Sequence, residues 1–243
     1  MANPMQQFEV YKIGPSLQIG NIDLSLTNSS IFMFTSAAFI LVFFFLGTKN
    51  VSTIPGKLQI LNELVFNFIA KMIDETAGYK AKNYFPFILT LFLFILTMNM
   101  IGLFPYAFTV TSQIIVTLSF ALIIFIGVTV IGFAKHGVSF LKIFLPSGIP
   151  IFLLPLLVVI EVISYLSRPV SLSVRLFANM LAGHTMLKVF GGFVVSLGII
   201  GGWLPFSFSV LLTALEILVA FLQAYVFAVL SCIYLNDALN MHH

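Results

Sequence analysis

The residues that could do acid–base or electrostatic chemistry are concentrated in the last hundred positions. Glu161, Arg168 and Arg175 follow one another at intervals of seven, Asn179 comes four further on, His184 and Lys188 follow, and Glu216 and Gln223 are again seven apart. Seven residues make nearly two helical turns, so on an unbroken helix Glu161, Arg168, Arg175 and Asn179 share one stripe. Pro169 can bend that helix, which leaves the stripe from Arg168 onward as the firmer part. A polar line on each of two adjacent membrane helices is the pattern of a proton or ion path.

Each of these residues also has a plainer reading. Arg168, beside Pro169, reads as a side chain that snorkels to the membrane interface, and Lys188 reads the same way at a helix end. Arg175 has less escape, because Val174, Leu176, Phe177, Met180 and Leu181 surround it with apolar groups; its alternative is a structural salt bridge. His184 and Glu216 suit either a structural hydrogen-bond pair or a titratable relay, since an imidazole changes charge near neutral pH. No third ligand stands at metal spacing, so no metal site is expected. His242 and His243 are terminal, and no role is inferred for them.

Such residues are conspicuous because the chain has so few charges. Of 243 residues 60% are apolar, 28 are Phe, and only 8% are charged, against about 25% in a soluble domain. Mean hydropathy is +1.12. A water-soluble fold is excluded, because so few charges cannot cover its surface. High hydrophobicity excludes disorder, the single Cys232 excludes a disulfide scaffold, and 11 unclustered cations exclude nucleic-acid binding. No cofactor is expected. The first 30 residues, with Glu9, Lys12 and Asp23 but no apolar core, do not read as a cleavable signal.

Because a charge costs at least about 2.5 kcal/mol at the bilayer centre, the uncharged intervals mark the spans. The expected fold is an all-α integral membrane protein, one unit over residues 1–243. Transmembrane helices are predicted near 31–47, 84–104 and 113–133, with Pro105, Tyr106 and the polar run Thr109–Gln113 supplying a turn. Near 57–77, Leu58, Leu61, Val65, Phe68 and Met72 recur at helical spacing opposite Gln59, Glu63, Asn67, Lys71 and Asp74. This predicts an amphipathic helix in the interface plane, or one packed on another subunit's stalk. Two long, strongly tilted membrane-embedded helices near 151–190 and 206–235 form a hairpin joined by the Gly-rich stretch Gly191–Gly202. Lys49, Lys57, Lys71, Lys80, Lys82, Lys135 and Lys142 place their two loops on the cytoplasmic side and the N-terminus outside.

At Ser171-Leu-Ser-Val-Arg175-Leu-Phe-Ala-Asn179-Met-Leu-Ala-Gly-His184 the chain closely resembles subunit a of the rotary F-type ATP synthase. The likeness extends through Asn99-Met-Ile-Gly-Leu-Phe-Pro105-Tyr, Glu216-Ile-Leu-Val-Ala-Phe-Leu-Gln223-Ala-Tyr and Tyr234-Leu-Asn-Asp-Ala-Leu, and its flavour is alphaproteobacterial, hence also mitochondrial. The resemblance implies a non-catalytic stator beside a rotating ring of c subunits, with peripheral stalk b-type subunits linking it to the catalytic head. In that family Arg175 would face the ring's proton-carrying carboxylate and block proton leak. Glu216, His184, Asn179 and Gln223 would line the outer half-channel, and Glu161 the inner one. The implied location is a bacterial inner membrane, or alternatively a mitochondrial one.

The chemistry suits those types. A carboxyl in lipid must be neutral, and beside a fixed cation it can ionise. A guanidinium supplies that cation without passing the proton on, which a lysine neutralised by burial would not. The main rival is a secondary proton-coupled transporter, which should show an internal repeat; none is found. An intramembrane hydrolase lacks its motifs, since Ser147 has no Gly-x-Ser-x-Gly setting.

Overall fold

A computed structural model describes residues 8–13, 18, 19, 22, 23, 25–49, 52, 54–104, 107–144 and 153–240. Among them the chain forms α1 (Asn28–Thr48), α2 (Lys57–Thr76), α3 (Phe85–Gly102), α4 (Ile114–His136), α5 (Leu154–Gly201) and α6 (Trp203–Leu239). Short 3-10 segments at Tyr79–Tyr84, Val110–Ser112 and Gly137–Phe144 connect or extend them. A two-residue antiparallel ladder, Gln18–Ile19 with Ile22–Asp23, lies in the N-terminal segment. Pro105, Tyr106, Pro146, Ser147, Pro150, His242 and His243 fall outside the described residues.

Among the described residues five stretches are long and apolar enough to cross a membrane: Asn28–Thr48, Tyr79–Gly102, Ile114–Leu141, Leu154–Gly198 and Trp203–Leu239. The expected spans are therefore present, and the hairpin is longer than its charge map suggested. The Gly-rich Gly191–Gly202 stretch, expected as the joining loop, is helical almost throughout, with a single non-helical residue at Gly198 (φ 64°, ψ −165°). Phe190, Phe193, Val194, Val195 and Leu197 carry the helix through its glycines, and only at Gly198 does the backbone take a conformation that favours glycine. Lys188, expected at a helix end, thus lies well inside α5. Pro169 interrupts neither the helix nor its stripe. At about 1.5 Å per residue the 45 residues Leu154–Gly198 of α5, up to the break, extend roughly 68 Å and the 37 of α6 roughly 55 Å. Hydrocarbon is about 30 Å thick, so neither can stand along the membrane normal.

Helix α2 is amphipathic as expected, but burial of its apolar stripe changes along its length. Ile69, Met72 and Ile73 in its second half are buried against the bundle, whereas Leu58 and Leu61, eleven residues earlier on the same face, stay exposed. Asn62 is buried against the end of α1, its Nδ2 donating to the Phe43 carbonyl at 3.5 Å. The main core joins Ile69 and Ile73 of α2, Ile88, Phe92 and Ile95 of α3, Ile124 of α4, Leu176 of α5 and Phe227 of α6. Ala220, Ala224 and Ala228 form a fully buried line on α6. Without a hydrophobic drive in lipid, such small residues hold helices together by letting backbones approach.

The two ends of the bundle differ in chemistry. At the lysine-rich end Lys80 Nζ donates to Asn240 Oδ1 at 2.9 Å, and Lys82 pairs with Asp74 at 3.2 Å. At the far end Gln113 Nε2 donates to the Phe8 carbonyl at 2.7 Å and Asn28 Nδ2 to the Glu9 carbonyl at 3.1 Å. Ala224→Leu, which adds bulk at a site with 0% exposure, is expected to destabilise the packing by about 1–3 kcal/mol. Loss of protease resistance at lower temperature in membranes is the measurement, and unchanged resistance would refute the close packing.

Candidate functional site

Helix α5 carries the polar residues in order across the bundle. Glu161 lies toward the lysine-rich end, followed by Arg168, Arg175, Asn179 and, toward the far end, His184. From Glu161 to His184 the distance along the helix axis is roughly 35 Å at about 1.5 Å per residue. Leu172, Ser173, Leu176, Met180 and His184 are buried on the face toward the bundle. Arg175 lies on the other side and is exposed.

His184 and Glu216 are brought together between α5 and α6, with exposures of 7% and 4%. His184 Nδ1 is hydrogen-bonded to Glu216 Oε1. His184 Nε2 lies 3.0 Å from the Gly102 carbonyl at the end of α3. A carbonyl only accepts, so Nε2 is the N–H donor and Nδ1 shares the remaining proton with the carboxyl. The pair is either an acid donating to a neutral imidazole or a carboxylate accepting from an imidazolium; both hold the same number of protons. Glu216 Oε2 is buried and without a hydrogen-bond partner among the described residues.

Several contributors to this cluster could not be singled out from sequence. Asn99, fully buried on α3, donates from Nδ2 to the Ala220 carbonyl at 3.2 Å, one turn along α6 from Glu216. Thr109 donates to the Gly102 carbonyl at 3.4 Å. The run Thr109–Gln113 forms the expected polar turn between α3 and α4 and is folded into the bundle, with Thr109, Thr111 and Ser112 nearly inaccessible. Irregular polar backbone is tolerated at such depth where protein covers it. A Cβ on Gly183 would stand 2.8 Å from Glu216 Oε1 and 3.1 Å from its carboxyl carbon, so the glycine makes room for the acid. Its place beside His184 was the one available signal.

The remaining candidates stay apart from that cluster. Asn179 and Gln223 are half-buried, and neither amide makes a hydrogen bond among the described residues. Glu161 is half-buried and forms no ion pair with Arg168. Arg168 does not snorkel free, because Nη1 pairs with Asp237 Oδ2 of α6 at 3.1 Å. Its guanidinium also lies 5.3 Å and 5.0 Å from the ring centres of Tyr165 and Tyr234. The Tyr165 hydroxyl is in turn 2.8 Å from Thr129 Oγ1 on α4. The guanidinium of Arg175 has neither hydrogen bond nor ion pair among the described residues. Around it Ser171, Ala178 and Ala182 are small and exposed, leaving a shallow face on the outside of α5. No group of three metal-ligating side chains occurs among the described residues.

Two substitutions probe this arrangement. Gly183→Ala is expected to push the Glu216 carboxyl off His184, read as a changed His184 Nδ1 signal in nitrogen-15 NMR; an unaltered signal would show that the close approach is dispensable. Asp237→Ala is expected to cost about 1–2 kcal/mol of stability, for one charge-assisted hydrogen bond that is partly exposed, read as earlier thermal loss of protease resistance.

Residues 30–236 match the family model described as ATP synthase A chain. ATP synthase subunit a of Pelagibacter ubique (strain HTCC1062) is 68% identical over 241 residues, covering 99% of each chain. That of Rhizobium johnstonii is 55% identical over 245 residues, covering 98% of each. That of Mesorhizobium japonicum is 53% identical over 247 residues, covering 99% of this chain and 98% of that protein. With a family model spanning most of its length and relatives this similar from end to end, the chain belongs to the ATP synthase A chain family.

Proposed function

We propose that this chain is the proton-conducting stator subunit of the membrane sector of a rotary ATP synthase. In this role it supplies two offset half-channels to carboxyl groups on a neighbouring c-ring, and it performs no chemistry on ATP itself. The observation that carries the reading is Arg175: an exposed cation on a membrane helix, without hydrogen bond or ion pair among the described residues, flanked by Ser171, Ala178 and Ala182. A charge left in lipid is costly, so its counter-charge belongs to a partner. The small residues around it admit a second helix at close range.

The rest of the mechanism follows from charge and position. A ring carboxyl is neutral in lipid and ionises on reaching Arg175, whose charge also repels protons passing directly between the half-channels. Glu216 and His184, at the end far from the lysine-rich loops, form the outer proton site, with Asn179 and Gln223 orienting water and the ring carboxyl. Glu161, toward the lysine-rich end, lines the inner path. A membrane potential supplies about 2.3 kcal/mol per charge per 100 mV. Because entry and exit are offset, the proton leaves only after the ring has turned. The alphaproteobacterial relatives favour a bacterial inner membrane, with peripheral stalk subunits holding the chain against the head.

Arg175→Ala is expected to abolish ATP-driven proton pumping in inverted vesicles; retained pumping would remove Arg175 from its role. Glu216→Leu is expected to slow proton uptake more than Gln223→Leu, and the reverse order would count against Glu216. A cysteine replacing Glu161 is expected to react with silver or a soluble thiol reagent from the lysine-rich side. Protection from both aqueous phases would place that residue off the path.

A further inference from the structure

We infer that His184 is a closed end of the outer proton site rather than a link along it, with Thr109 a positioning residue that keeps it closed. The inference rests on the reading of Glu216 as a proton-path residue. An in-line imidazole takes a proton on one nitrogen and releases one from the other. Here Nε2 is committed to the Gly102 carbonyl at 3.0 Å, an oxygen that can neither take up nor supply a proton. Thr109 donates to the same oxygen at 3.4 Å, is 2% exposed, and holds the chain after α3 folded back against it. Turning the ring over would leave a buried N–H and a buried carbonyl lone pair without their bond, a cost that buried polar groups avoid.

His184 therefore exchanges only through Nδ1, and only with Glu216 Oε1. Glu216 has a second oxygen, Oε2, buried and without a partner among the described residues. Traffic then uses that atom. An incoming proton forms an O–H bond at Oε2, and the same bond breaks when the proton departs toward the ring. The Nε2–H bond is neither made nor broken, and the proton between Nδ1 and Oε1 moves only within the pair. His184 thus steadies the charge of Glu216 while the through-going proton passes beside it.

Nitrogen-15 NMR of histidine-labelled, assembled complex in lipid, differenced against His184→Gln, reads this directly. Nε2 of His184 is expected to remain protonated at every pH at which the complex is intact, with changes confined to Nδ1. Appearance of the tautomer with a bare Nε2 would overturn the inference. Thr109→Val is expected to let that tautomer appear, and Thr109→Ser to suppress it again; a spectrum unaltered by Thr109→Val would remove Thr109 from its positioning role. For flux, an in-line acid–base group is worth about 100-fold or more. Glu216→Gln is expected to lose at least that factor in ATP-driven proton uptake, while His184→Gln loses less. Equal losses in assembled complexes would put His184 back in line. Full flux in Glu216→Gln would instead sink the reading of Glu216, with the tautomer result standing apart.

Discussion

An ionisable side chain in hydrocarbon must be neutral, paired within its own chain, or matched by a partner, and this constraint orders the C-terminal hairpin. Arg168 takes the second course, held by Asp237 and by the rings of Tyr165 and Tyr234. His184 and Glu216 satisfy each other while sharing a proton that either can hold. Arg175 has neither hydrogen bond nor ion pair among the described residues, and in the function proposed above its counter-charge comes from a partner.

Packing serves that ordering. The buried alanine line on α6 and the core side chains of α2, α3 and α4 fix the hairpin against the bundle, so that the end of α3 presents a backbone carbonyl to an imidazole on α5. Gly183 lets the Glu216 carboxyl come against α5 where any side chain would stand too close. Polar groups from Thr109 to Ser112, on the connection between two spans, are drawn inward to complete the cluster. None of these contributions is a charge, yet together they decide which atoms of the charged residues can exchange protons.

Much of the fold was legible because charge is so scarce: gaps between charged residues marked α1, α3 and α4 to within a few positions. The spacing of seven also found the stripe on α5 and the pair on α6. Less legible was whatever depends on backbone or on partners distant in sequence. Glycines from 191 to 202 read as a loop, but apolar neighbours sustain a helix through all but one of them. Thr109 to Gln113 read as a polar turn, which it is, but residue type alone does not reveal that the turn is covered. Asp237 stands in the C-terminal motif, but nothing in its spacing announces Arg168 as its partner.

The break at Gly198 bears on how such a hairpin can vary. His184 and Glu216 are separated by 32 positions, and the segment between them is two rigid helical arms meeting at one residue with positive φ. A single inserted or deleted residue in either arm would turn everything beyond it by about 100° and displace it by about 1.5 Å along its axis. The acid would then point away from the imidazole although both residues were still present. The stretch between the two residues therefore works as a ruler: its composition is free to drift within the limits of an apolar helix, but its length is not, and only at the Gly198 corner could a change of length be absorbed.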